Sequence, residues 1–122
     1  MNVLRGTKDT IIIDDTYNAS PLAGACALRA LYKLSVPQRI AVLGSMNELG
    51  VTAQAEHERI GRAVPQSADL LVTVGQLARE HLAPAAIAAG LSAEQVQCFG
   101  TPIAAGAYLV KLLLHLLNYF QM

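Results

Sequence analysis

The run Asp14-Asp15-Thr16-Tyr17-Asn18-Ala19-Ser20-Pro21 gathers more polar chemistry than any other stretch of the chain. Two adjacent carboxylates after an apolar segment can hold a metal ion, or accept hydrogen bonds from the two hydroxyls of a ribose. They can equally close a turn by accepting from nearby backbone N–H groups, which is ordinary work for Asp in a loop. A second run, Gly44-Ser45-Met46-Asn47-Glu48-Leu49-Gly50, carries a glycine at each end. It matches neither the dinucleotide fingerprint nor the phosphate-loop pattern. Glycines at strand ends often serve chain reversal alone.

What is absent narrows the chemistry further. No Walker-type loop occurs in the chain, so it offers no evident cradle for a triphosphate and its magnesium. A receiver-type carboxylate site needs a phosphoacceptor Asp at the end of a later strand and a Lys after another. The later apolar runs end instead in Gly44-Ser45, Gly75-Gln76 and Phe99-Gly100, which excludes that site. His57 stands between Glu56 and Glu58, but neighbouring helix positions point in different directions and the zinc spacing H-E-x-x-H is missing. It reads as a solvated or loop-contacting histidine. His81 and His115 belong to no constellation, and no serine sits in a G-x-S-x-G elbow. Cys26 and Cys98 lack partners at metal-ligand spacing and read as buried, reduced thiols of a cytoplasmic protein. No residue is assigned a catalytic or metal-ligating role.

Short apolar runs must position these loops. Thr10–Asp14, Arg39–Leu43, Asp69–Val74 and Val96–Phe99 are nearly continuous in apolar character, which suits strands covered on both faces. Between and after them the pattern predicts helices over Pro21–Leu34, Thr52–Val64, Gln76–Gly90 and Pro102–Tyr119. Ser20 before Pro21 supplies a cap followed by proline at the first helical position. Pro84 should break the third helix near Leu82. Strand–helix alternation of this kind gives an α/β fold with a mostly parallel, Rossmann-like sheet and helices on both faces. Ligands of such sheets sit beyond the carboxyl ends of the strands, where both polar runs fall.

The 122 residues fit one domain, residues 1–122, and 53% hydrophobic against 15% charged residues calls for a buried sheet, a partner surface, or both. Nine basic residues balance nine acidic ones without any basic cluster, so nucleic acid is not expected as a partner. The first residues carry no apolar signal core.

Taken in order, IIIDDTYNASP, RIAVLGSMNELG, AEHERIGRAV and DLLVTVG resemble the C-terminal domain of the Mur ligases, in particular the MurF-type branch that adds D-alanyl-D-alanine during peptidoglycan synthesis. MNVLRG also matches the stretch that leads into this domain. The resemblance implies a three-domain enzyme in which the central domain holds ATP and Mg and a substrate carboxylate becomes an acyl phosphate that the incoming amine attacks. It further implies that Asp15 contacts the ribose and that Tyr17 and Asn18 lie along the nucleotide. Asn47, Glu48, Leu49 and Gly50 would border the dipeptide pocket, and His57 matches a family histidine of unassigned role. Two departures stand out. Ser45 replaces the Asp of many relatives, and the family's last strand, with its Lys-Gly-Ser-Arg-like motif, gives way to LLLHLLNYFQM.

On this reading the chain is a detached, catalytically incomplete C-terminal domain, truncated at its end, that binds no cofactor tightly and can meet a central ligase domain in trans. The rival is a free-standing binding or assembly module that kept the fold and lost the ligase role. The tail, Ile103–Met122, places Lys111, His115 and Asn118 on one narrow polar stripe of an otherwise apolar helix. Lys111 and His115 near its middle argue against a membrane span. An oversized apolar helix beside an open sheet edge predicts a homodimer, with the Leu112–Phe120 region in its interface.

Overall fold

The computed structural model describes residues 2–7, 10–16 and 19–121. The apolar runs pair as a sheet of order β1-β2-β3-β4-β5. Its strands are β1 (Asn2–Thr7), β2 (Thr10–Asp15), β3 (Gln38–Gly44), β4 (Leu70–Val74) and β5 (Val96–Phe99). Strands β2 to β5 are parallel, while β1 runs antiparallel to β2. The α/β architecture with a largely parallel sheet is therefore as the sequence implied. β1 departs from the expectation that MNVLRG serves only as a lead-in to the domain. Thr7 pairs with Thr10, leaving two residues to connect the strands, and the register shifts between Arg5 and Thr7 around Gly6. Two residues between two strand-forming runs are a hairpin signal.

The helices are α1 (Pro21–Tyr32), α2 (Ala53–Ser67), α3 (Ala83–Ala88) and α4 (Pro102–Gln121). Because the parallel strands follow one another in order, each right-handed crossover lands on the same face. On that face α1, α2 and the helix ahead of β5 bury Leu28, Leu31, Ile60, Val64 and Leu82 against Ile11, Ile13, Leu43 and Leu71. The opposite face, Ile12, Ile40, Val42 and Val72, is covered by α4 through Ala105 and Leu109. Alternate strand residues thus feed two cores, the reason each run reads as continuously apolar. Tyr108 of α4 stacks against Phe99 of β5, with ring centroids 5.3 Å apart.

Helix ends follow local chemistry with two departures. Ser20 caps α1, its Oγ accepting from the Ala23 N–H at 3.1 Å, with Pro21 in the first turn as expected. In contrast, α2 does not stop at Val64. It carries Pro65 inside its last turn and runs to Ser67, closed by the Ala68 N–H bonded to the Val64 carbonyl. Proline near a helix end forfeits a single backbone bond, and burial of Val64 and Ser67 holds the turn. Ahead of Pro84 the chain widens rather than ending. Ala78–Leu82 form a π-helical turn in which the Ala83 N–H reaches the Ala78 carbonyl, and α3 follows directly. Cys26 is exposed on the outer side of α1 and Cys98 is half-buried, which corrects the expectation of two buried thiols. Among the described residues, no helix is long and apolar enough to cross a membrane.

Candidate functional site

The loops after β2 and β3 meet at the carboxyl edge of the sheet, where they enclose an open, polar groove of about 520 Å³. The first loop contributes Thr16, Ala19 and Ser20, and the second contributes Ser45 to Leu49. Glycine brings them together: a Cβ on Gly44 would lie 3.1 Å from both the Cα and the carbonyl oxygen of Thr16. The backbone of one loop therefore rests directly on the root of the other.

The two carboxylates of the first loop divide the readings left open by the sequence. Successive strand residues face opposite ways, so Asp14 and Asp15 part. Asp14 Oδ1 accepts from the Thr16 N–H at 3.0 Å and the Thr16 hydroxyl at 2.7 Å, closing the turn. Asp15 turns inward, is only 3% exposed, and its Oδ1 meets no hydrogen-bond partner among the described residues. Burial raises its carboxyl above the ordinary value of 3.8, and the neighbouring Asp14 pushes the same way. The void that Asp15 lines, with Ser20, Gly24 and Met46, measures about 10 Å³, far too small for a sugar. Tyr17 and Asn18 lie outside the described residues.

The second loop is held at several points and free at its tip. The Ser45 Oγ accepts from the Ala78 N–H at 2.9 Å, and the Ser45 N–H donates to the Val74 carbonyl at 2.8 Å. Ser45 thus bridges to the next loop with a neutral hydroxyl. The Met46 side chain is buried, and Leu49 packs partly against the core. Asn47 and Glu48 stay exposed on the groove wall. Gly50 ends the turn at a φ of 57°, a left-handed conformation suited to glycine, and starts a 3₁₀ turn, Gly50–Thr52, leading into α2.

His57 is the residue whose part was not legible. It is fully buried, and its Nε2 accepts from the Met46 N–H at 2.9 Å. Of the two sequence-level options, loop contact is the one realised, and solvation is not. Its relation to Met46, eleven positions earlier, is set by the packing of α2 and carries no local sequence signal. No group of His, Cys, Asp and Glu among the described residues gathers in a way that could hold a metal ion.

The family described as "Mur ligase, glutamate ligase domain" matches residues 1–115. The chain is similar to the UDP-N-acetylmuramoyl-tripeptide–D-alanyl-D-alanine ligase of Mycobacterium tuberculosis, 46% identical over 81 residues that make up 62% of this chain and 16% of that protein. The corresponding ligase of Mycobacterium leprae is 37% identical over 89 residues, 62% of this chain and 17% of that protein. A crystal structure of MurF from Acinetobacter baumannii overlays with a TM-score of 0.64 and 30% identity, covering 93% of this chain and 23% of that one. The chain therefore spans less than a quarter of these relatives. Residues, sheet order and relatives agree, and the chain belongs to the Mur ligase family, whose C-terminal domain it represents.

Proposed function

We propose that the chain serves as the C-terminal domain of a D-alanyl-D-alanine-adding ligase, presenting its carboxyl-edge groove to the incoming dipeptide and to the nucleotide. The observation that carries this reading is the meeting of the two motif loops in one open polar groove, with Asn47 and Glu48 exposed on its wall. Polar side chains on an anchored turn suit a small zwitterionic peptide, whose ammonium and carboxylate need fixed acceptors and donors.

The fit to a nucleotide rests on Asp15. A buried carboxylate oxygen that meets no donor among the described residues is an acceptor open to one, and ribose offers two hydroxyl donors. Its enclosure means that ribose reaches it only when the segment carrying Ala19 and Ser20 moves aside. In this reading ATP and Mg supply carboxylate activation on a central domain, while this chain orients the sugar and the dipeptide.

Titration of the protein with D-alanyl-D-alanine and with adenosine, followed by amide NMR, tests the proposal. The dipeptide should shift Asn47, Glu48 and Leu49. Adenosine should bind weakly, with a Kd on the order of millimolar, and Asp15→Ala should abolish its shifts. Dipeptide shifts scattered away from the groove, or adenosine shifts unchanged in Asp15→Ala, would place the site elsewhere.

A further inference from the structure

We propose that His57 is a positioning residue that sets the Asn47–Leu49 turn toward its ligand, an inference that rests on the groove being the dipeptide-facing surface. The imidazole spans two backbone groups of opposite character. A backbone N–H only donates, so Nε2, 2.9 Å from the Met46 nitrogen, must present its lone pair. A carbonyl only accepts, so Nδ1, 2.6 Å from the Ala53 oxygen, must carry the hydrogen. The ring is therefore neutral and held in a single tautomer.

The two bonds differ in what they do. Ala53 lies one turn earlier on α2 itself, so that contact orients the ring within its own helix. The helix is in turn seated against its neighbour. Gly61, one turn beyond His57 on the same buried face, lies so close to the next helix that a Cβ there would run into the Leu82 carbonyl and lie 2.9 Å from Ala85 Cβ. The remaining imidazole nitrogen thus presents a fixed acceptor to the groove loop.

That acceptor meets the loop where it leaves the sheet. Ser45 is tied to Ala78, and the Met46 side chain is buried beneath the loop. The bond to His57 takes up the Met46 N–H, which would otherwise be a buried donor without a partner. With Ser45, Met46 and Leu49 held, Asn47 and Glu48 have one way to project. Without the imidazole, Met46 must turn its N–H to water and carry the next two residues with it. A side chain that only filled space would need neither nitrogen, yet both are engaged with backbone.

The test compares the wild-type chain with His57→Ala and His57→Gln, since Gln can place an oxygen acceptor near the Nε2 position. Imidazole ¹⁵N shifts report the tautomer, hydrogen exchange reports the Met46 amide, and D-alanyl-D-alanine titration reports the groove. We expect a protonated Nδ1 with an unprotonated Nε2, and a protected Met46 amide. His57→Ala should lose that protection and bind the dipeptide roughly tenfold more weakly, about what one well-placed hydrogen bond provides. Core methyl signals should stay in place, and His57→Gln should restore most of both effects.

The opposite tautomer, an unprotected Met46 amide in the folded wild type, or equal dipeptide affinity in all three proteins overturns the inference. If the wild type ignores the dipeptide, the groove reading fails and with it the ligand role, while the tautomer and Met46 protection still decide whether His57 holds the loop. Should His57→Ala fail to fold, a folded His57→Gln that keeps Met46 protected and binds supports the role, and one that loses both overturns it.

Discussion

Gly75 lacks a side chain where Ser45 needs the space: a Cβ on Gly75 would collide with the Ser45 hydroxyl and lie 2.9 Å from its Cβ. Gly75 also sits at a φ of 104°, which side chains with a Cβ rarely adopt. The same hydroxyl accepts from the Ala78 N–H, so the loops after β3 and β4 are joined through this pair. Glycine at one position and a small hydroxyl residue at the other are one device.

Gly75→Ala should therefore cost about 1–3 kcal/mol from the backbone conformation alone, with the collision adding to it. Adding Ser45→Gly should relieve the collision and leave the backbone share, once the lost bond to the Ala78 N–H is subtracted by way of the Ser45→Gly single variant. Urea denaturation of the single and double variants measures both, and an unchanged midpoint in Gly75→Ala would contradict the geometry.

Asp15 gives the domain a pH dependence whose sign follows from burial. The unfolded chain releases this proton near 3.8, whereas the folded chain holds it to higher pH. Between those values the folded state binds more protons, so stability declines as pH rises through the window, by at most about 1.4 kcal/mol per pH unit for one group. Above the window that contribution is gone. Asp15→Asn should flatten this slope and raise the midpoint at neutral pH. Urea midpoints across the acid-to-neutral range check it, and an equal slope in both proteins would assign it to other carboxylates.

Purified by itself, the 122-residue chain should neither hydrolyse ATP nor form a peptide bond. It carries no glycine-rich phosphate loop to position a triphosphate or offset its developing charge. Phosphate release or ligation product above a denatured control, in the presence of Mg and D-alanyl-D-alanine, would refute this.

We also propose a homodimer through α4; of the expected Leu112–Phe120 interface, the side chains from residue 115 onward lie outside the described residues. Ile103, Val110 and Leu114 are 86%, 58% and 55% exposed, and Val110 and Leu114 stand one turn apart. Leu112 and Leu113, by contrast, pack partly against the chain's own sheet. Sedimentation at tens of micromolar should show the dimer, and a clean 12.9 kDa species would exclude it. Leu114→Glu should dissociate it while leaving each copy folded. Leu113→Glu should also loosen the sheet contact, because a buried carboxylate costs several kcal/mol.

The central parallel strands β2, β3 and β4 are legible because each buries residues on both faces, and the half-buried edge strand Val96–Phe99 has the bounds its short run implies. The antiparallel β1 is not legible in the sequence, because Arg5 and Gly6 interrupt its apolar character and only its register with β2 defines it. The extension of α2 through Pro65 was hidden for a different reason. Local propensity argues against proline there, and only tertiary burial of the same turn outweighs it. At the site, motif order pointed to both loops, but the split between Asp14 and Asp15 depends on strand alternation continuing one residue past the expected end of β2. The bond from His57 to Met46 is a product of helix packing, which spacing along the chain does not encode.

The sheet order has a bearing on how the chain comes to be folded. Every strand lies beside its predecessor in sequence, so Ile12 meets Ile40, and Ile40 meets Leu70, before any later segment is required. Among the described strands, none must wait for a distant one to be inserted between two already in place. Each of these pairings closes a loop of about thirty residues rather than one spanning the whole chain, and closure cost grows only slowly with loop length. Each strand–helix unit can therefore dock on the previous one in turn, and α4, the sole helix covering the second face among the described residues, can close that face only once the strands beneath it are paired.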